Sequence, residues 1–247
     1  MSENMPENNE PKVLVGCVTY DKDGVYITDF LNAIRSQDFK NTDILFVDTS
    51  SSEEYSARLR GTGAIVMSGE KDLDHKIKRV SNGRNLIREY AISKGYDYLW
   101  FVDNDVMPKS DALSRLLSHR KDMIAGVCLL PANVDGSTKV VPNIYVIDQK
   151  DKGLTPVGLS EVMEDRVMDI ASAGFGCVLV SRDVFEKIGI RYFENSMAGE
   201  DLAFFSDARE KGFSVFADSR VKCTHLVFPP GDPRNKRFMF DSYVKPD

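Results

Sequence analysis

Two carboxylates stand one residue apart at Asp103, Asn104 and Asp105, directly behind an apolar run from Tyr98 to Val102. Like charges that close repel unless something positive sits beside them, and a divalent cation is the simplest such group. Hard cations take oxygen ligands and bind through one or two carboxylates plus substrate phosphates. The pair therefore fits a metal bridge to a diphosphate. The alternative is a polar turn, since Asp and Asn side chains bond nearby backbone at strand ends. A nitrogen donor comes late in the chain, where His225 closes the run VKCTHL. Imidazole suits first-row transition metals better than magnesium, so a fold that brings His225 beside Asp105 favours manganese.

The elements that must position these groups follow from apolar patterning. KVLVGCVTY (Lys12 to Tyr20) is a continuous β-branched run of the kind found in a strand covered on both faces. An amphipathic stretch from Val25 to Ser36, a second strand from Asp43 to Ser50, a short helix from Glu53 to Arg60 and a strand from Ala64 to Met67 follow. Strand alternating with helix implies a parallel sheet. After a charged loop holding His75, SNGRNLIREYAISKG reads as a helix with Ser81 or Asn82 as N-cap and Gly95 just past its end. The strand Tyr98 to Val102 then delivers the acidic triplet to the carboxyl edge of the sheet, where open α/β sheets bind ligands. Ser110 is expected to cap the next helix, which carries Leu113, Leu116 and Leu117.

From Met123 the runs MIAGVCLL, KVVPNIYVI, GLTPVGL, RVMDIA and GCVLVS are short and β-like, so this half is expected to be mixed or antiparallel. Helices are expected over Arg182 to Ile188 and Asp201 to Lys211, then two short strands ending at His225. The expected divisions are a disordered polar tail over 1–11, one domain over 12–227, and a C-terminal tail over 228–247.

The 247 residues are 42% hydrophobic and 28% charged, an ordinary globular mix, and the formal charge of -6 argues against a duplex nucleic-acid surface. No apolar run is long enough to span a bilayer, so no stable membrane insertion is expected. The start MSENMPENNEP lacks the basic and apolar regions of a signal peptide, so a cytoplasmic setting is expected. Cys17, Cys128, Cys177 and Cys223 lie in apolar stretches without a CxxC pair and read as buried thiols.

The ordered set of motifs resembles the GT-A nucleotide-sugar glycosyltransferases, particularly the family-2-like group. It is carried by VLVGCVTY, LFVDTSS, GRNLIREYAISKGYDYLWFVDND, AGFGCVLVSRDVFEKIG and AGEDLAFFSDAREKGFSVFADSRVKCTHL, and covers roughly residues 12–227. It implies a Rossmann-like α/β fold: a mixed sheet with a parallel nucleotide-binding half and helices on both faces. It implies transfer of a sugar from a nucleoside-diphosphate donor, of UDP or GDP type, to an acceptor hydroxyl on a glycan, a lipid-linked sugar or a protein. By the resemblance, Asp105 and His225 bind the metal, Asp103 lies at the metal and the ribose, and Asp48 contacts the base. Thr19 and Tyr20 frame the base, while Arg84 and Asn85 approach the nucleotide.

Such a transfer needs a base for the acceptor hydroxyl. Asp201, at the positive end of a helix macrodipole that keeps a carboxylate ionised, is nominated, with Glu200 as its competitor and inversion as the expected outcome. The structural alternative for Asp201 is an N-cap. The small-residue segment Ala171 to Gly176 fits close approach of backbone to a sugar or, equally, a bulge. The tail after Pro229, with Arg234, Lys236, Arg237 and three aromatics, fits an active-site lid or a loose tail. Two other functions stay open. A sugar-phosphate nucleotidyltransferase would want a better phosphate loop than TYDKDG, and a non-catalytic relative would not need the acidic motifs and His225 intact.

Overall fold

β-branched and aromatic runs build the strands, and the chain interleaves them with helices through its first half. The computed structural model describes residues 10–71, 76–134, 136–150, 152–193 and 199–243, so most of the N-terminal tail, His75 and residues 244–247 lie outside the described residues. The first half runs β1 (Val13–Thr19), α1 (Ile27–Arg35), β2 (Thr42–Asp48), α2 (Glu53–Arg60), β3 (Ile65–Ser68), α3 (Lys76–Lys94), β4 (Tyr98–Val102), β5 (Val106–Met107) and α4 (Ala112–Ser118). The second half continues with β6 (Met123–Val127), β7 (Leu129–Val134), β8 (Ser137–Pro142), β9 (Ile144–Ile147), β10 (Leu154–Pro156), α5 (Leu159–Val162), β11 (Val167–Asp169) and β12 (Ser172–Ala173). It closes with β13 (Cys177–Ser181), α6 (Arg182–Lys187), α7 (Glu200–Glu210), β14 (Val215–Lys222) and β15 (Thr224–His225).

Eight strands form one sheet in the order β11-β14-β6-β13-β4-β1-β2-β3. β1 to β4 pair in parallel, β13 runs antiparallel to both β4 and β6, and β14 is parallel to β6. Two reversals restore direction, so β6 and β14 end at the same edge as β1, β2 and β4. β13 begins there. One edge thus collects the acidic triplet after β4, Cys128 after β6, the residues before β13 and the chain leaving β14.

Alternation along the central strands splits the core. Leu14, Leu45, Val47, Leu99 and Phe101 pack on one face with Ile87 and Ala91 of α3, and with Phe204, Phe205 and Ala208 of α7. Val13, Val15, Phe46, Trp100 and Val102 pack on the other with Phe30 and Ile34 of α1, Leu59 of α2 and Leu113 and Leu116 of α4. Burying each such side chain contributes about 1.5–3 kcal/mol, which holds helices on both faces. α3 lies especially close to β1, because a Cβ on Gly83 would stand 2.9 Å from Val18.

Three local expectations are corrected. α3 starts at least five residues before Ser81, which lies buried inside it and caps nothing. The polar sequence KIKRVS hides this turn, because its helical face is carried by side-chain stems and by Gly83 rather than by an apolar stripe. The helix after Ser110 takes Asp111 as N-cap, without a side-chain cap bond. Its Leu113 N–H instead donates to Gln37 Oε1 at 3.0 Å, a cap supplied from across the fold. GLTPVGL is strand only over Leu154–Pro156, and Leu159–Val162 is a helical turn. After Pro229, two 3-10 turns over 233–238 and 240–242 dock on the domain. Phe238 and Phe240 join the core, and Asn235 bonds Phe228 and Pro229 backbone. All four cysteines are buried and unpaired by disulfides.

Candidate active site

The strand-end edge carries a cleft of about 470 Å³ whose walls include Val18, Arg84, Asp103, Asp105, Asp201 and His225. At one side, β15 pairs antiparallel with β5 and sets His225 opposite Val106. His225 Nε2 comes to 3.5 Å from Asp105 Oδ2. Its Nδ1 lies 2.9 Å from the Leu129 carbonyl. Only a protonated Nδ1 can make that bond, and a ring nitrogen held so leaves the other as a free ligand. Burial pulls the imidazole pKa down, and Asp105 more than offsets this, so the net direction is up. An oxygen and a nitrogen donor therefore face each other at the cleft, a set that suits a first-row divalent ion. Among the described residues no three His, Cys, Asp or Glu side chains converge as a ready-made metal cluster, so further ligands would come from substrate oxygens, as hard-cation phosphate sites commonly arrange.

Arg84 is the positive centre of the site. Its residue is 5% exposed, its Nη2 donates to Asp103 Oδ1 at 2.9 Å and its Nε to Glu200 Oε1 at 3.1 Å. Its guanidinium also lies 4.6 Å from the Phe175 ring centre. Burial opposes the charge, and Asp103 and Glu200 overcome that, holding Arg84 above its ordinary range. One buried cation thus ties α3, β4 and α7 together.

Glu200 and Asp201 open α7 behind an N-cap Gly199, so Asp201 is the second helical residue and not the cap. The two acids have different surroundings. Glu200 is paired with Arg84. Asp201 Oδ1 accepts from its neighbour Leu202 N–H at 2.8 Å, and its Oδ2 has no hydrogen-bond partner among the described residues. Burial first, then the charge of Glu200, pushes the Asp201 carboxyl up to about 6. A group that titrates just below neutrality, with a free oxygen in a cleft, is suited to accept a proton.

The residues at the ends of β1 and β2 are placed differently. Asp48 is buried with both oxygens engaged: Ser50 donates from N–H at 2.9 Å and Oγ at 2.7 Å to Oδ1, and Ser56 Oγ donates to Oδ2. Thr19 Oγ1 lies 2.5 Å from Tyr55 Oη and accepts from Asn104 at 3.1 Å, fixing the middle of the acidic triplet to β1. Tyr20 lies under Arg79, 4.8 Å from ring centre to guanidinium. Asn85 is not brought to the cleft, because both ends of its amide bond Ile190 backbone, its Oδ1 accepting from Ile190 N–H at 2.9 Å. Asp23 and Asn143 are among the cleft residues that escaped the sequence reading. Asp23, in a short 3-10 turn, is raised by burial and by Asp105. Asn143 splits the run KVVPNIYVI into β8 and β9, and an amide inside an apolar run was the signal for it.

No curated protein matches the chain. Among solved structures it is similar to one described as the crystal structure of A197 from STIV, at 17% identity over 88% of this chain and 87% of that one, with a TM-score of 0.51. At that identity the likeness speaks for the fold alone. The family model described as glycosyl transferase family 2 matches residues 15–189. That span runs from β1 past α6 and includes Arg84 and the acidic triplet, while Glu200, Asp201 and His225 follow it. With a mixed sheet, helices on both faces and a charged cleft at the strand ends, the chain belongs to glycosyl transferase family 2 and is a glycosyltransferase.

Proposed function

We propose that this glycosyltransferase moves a sugar from a UDP- or GDP-type sugar to an acceptor hydroxyl, with inversion, and that Asp105 and His225 hold a divalent cation for the donor diphosphate. The observation that carries the reading is the shared cleft: an Asp105–His225 donor pair, and a half-buried Asp201 with one free oxygen and a carboxyl raised to about 6. When bound, the cation supplies Lewis-acid stabilisation of the charge on the departing diphosphate. The nitrogen donor favours manganese over magnesium.

Asp201 Oδ2 takes the acceptor proton. Glu200 is less suited, because Arg84 engages its carboxylate. Asp103, with one oxygen on Arg84, offers the other to the donor ribose or the cation. A base across the reacting carbon from the leaving diphosphate gives inversion. Donor, metal and base thus use different walls of one cleft, with Arg84 keeping the acids in place.

Thermal unfolding of metal-stripped protein tests the donor site, using UDP, GDP, CMP and their sugar conjugates with and without manganese. Binding to the native state adds about 2.7 kcal/mol at a hundredfold excess over Kd. The expected rise needs both manganese and a diphosphate nucleotide; its absence in folded protein removes the reading. An α-linked donor should give a β-linked product, and an α-linked product overturns inversion.

A further inference from the structure

Gly174 is a glycine that the packing does not demand. At Gly83 or Gly126 an added Cβ would press within 3.0 Å of a neighbour, whereas at Gly174 its nearest contacts are 3.7 Å to Asn143 Cβ, 3.7 Å to Asp201 Oδ2 and 3.8 Å to Asn143 Nδ2. Those are ordinary van der Waals distances, and the backbone there is outside the left-handed region. The missing side chain leaves a notch in the cleft wall, bounded by a carboxylate oxygen and an amide nitrogen.

Both atoms are fixed and unspent. Asn143 is 3% exposed. Its Oδ1 accepts from Cys128 N–H at 2.8 Å, its own N–H donates to Cys128 O at 3.0 Å, and its carbonyl accepts from Gly174 N–H at 2.8 Å. Because Cys128 N–H is a donor, the amide end facing it must be oxygen. Nδ2 is therefore the end turned toward Gly174, and it has no hydrogen-bond partner among the described residues. Asp201 Oδ2 is equally without one. A donor and an acceptor beside one notch, not bonded to each other, are the complement of a hydroxyl, which gives one hydrogen and accepts another.

We propose that Gly174, Asn143 and Asp201 form the seat of the acceptor's reacting hydroxyl, with Asn143 as its positioning residue; this rests on the reading of Asp201 as the base. The hydroxyl proton passes to Asp201 Oδ2. One oxygen lone pair forms the bond to the anomeric carbon as the bond from that carbon to the diphosphate oxygen breaks, its electrons leaving on the diphosphate. The other lone pair accepts from Asn143 Nδ2. A neutral amine has a single lone pair, needed for attack, so it leaves Nδ2 without an acceptor. The seat selects oxygen acceptors over nitrogen ones.

The test compares wild type with Gly174→Ala, which fills the notch at ordinary contact distance, and Asn143→Asp, which keeps the oxygen facing Cys128 and turns the donor into an acceptor. Manganese-dependent release of nucleoside diphosphate is measured in water, with a panel of methyl glycosides, and with matched amino sugars. Nucleotide-induced thermal shifts are followed in parallel. Both variants should lose at least about tenfold in kcat with the nucleotide shift unchanged, and wild type should prefer hydroxyl over amine transfer.

Asn143→Asp should also raise the Asp201 pKa, read by carboxyl carbon NMR, above the value that Glu200, Arg84, Asp103 and Tyr145 set around it. That shift reports only that residue 143 faces Asp201; the positioning role is read in the loss of kcat at an unchanged nucleotide shift and in the preference for hydroxyl over amine acceptors. Gly174→Ala turning over like wild type overturns the seat, as does wild type that binds donor yet releases nothing to water or any glycoside. Wild type that binds no nucleotide removes the underlying donor reading instead, and the seat with it.

Discussion

Two desolvated aspartates, Asp218 in β14 and Asp201 in α7, contrast a carboxylate spent on partners with one proposed for chemistry. Asp218, in the irregular part of β14, is 0% exposed. Arg220 donates to both its oxygens, at 2.8 Å and 2.9 Å, and His119 Nε2 lies 2.8 Å away. Burial raises its pKa, and those partners more than reverse that, so it ends below the ordinary carboxylate range. Asp201 is also desolvated, but its bonded partner is the Leu202 amide, and it ends near 6. Desolvation raises both. The unspent acceptor is what sets Asp201 apart and underlies its proposal as the base.

Exchanging each carboxylate for its amide separates the two roles by the largest margin. Asp201→Asn should lower transfer by about 10²–10⁴, the usual worth of a general base, with donor binding intact. Asp218→Asn should leave turnover per folded molecule unchanged and cost about 2–3 kcal/mol in urea unfolding, since Arg220 loses its partner but can still reach water. Equal effects of the two changes on kcat would erase the distinction.

Arg84→Met attacks the cation on which the comparison depends. It leaves Glu200 and Asp103 without their partner and should cost about 3 kcal/mol. Because Arg84 is among the groups holding the Asp201 pKa down, the acid limb of kcat/KM should also move to higher pH. Lost stability with an unmoved limb would show that Arg84 supports the fold without tuning the base.

The two carboxyls should also contribute to stability with opposite pH dependence. Asp201 has a folded value of about 6 against 3.8 ordinarily, so its contribution is present in full below about pH 3.8 and is lost as pH rises through 6. The lowered Asp218 contributes above its unfolded pKa and loses that as pH falls through its folded value. Asp201→Asn should therefore gain about 2 kcal/mol over wild type at pH 8 and much less at pH 4. A gain independent of pH would mean that Asp201 is not the group titrating near 6.

The parallel half of the fold was legible in the sequence because its strands are uninterrupted apolar runs. Val13–Thr19, Thr42–Asp48 and Tyr98–Val102 fall where period and composition put them, and α2 matches its expected bounds. Residue chemistry offered Asp105 and His225 as a conditional pair, which the resemblance then implied as metal ligands, although 120 residues separate them. What brings them together is the two-residue ladder of β15 on β5, too short to leave a pattern. Asn85 illustrates the opposite failure. The resemblance placed it with Arg84 at the nucleotide, but on a helix adjacent residues point about 100° apart, and Asn85 meets Ile190 instead.

The smallest effect concerns the start of α3, where sequence and structure disagree in sign. A serine at an N-cap loses about 1 kcal/mol on replacement by alanine. Inside a helix the same change gains, because alanine has the best helix propensity and a buried hydroxyl without a partner carries a desolvation cost. Ser81 is 1% exposed, lies five residues past Lys76, and its Oγ has no hydrogen-bond partner among the described residues. Ser81→Ala should thus stabilise the protein by about 0.5 kcal/mol in urea unfolding. A loss of about 1 kcal/mol would restore Ser81 as the cap and shorten α3 by its first turn. That turn carries Lys76 and Ile77 on the wall of the same cleft, so the sign of a small stability change also tests how far the helix reaches along the donor side.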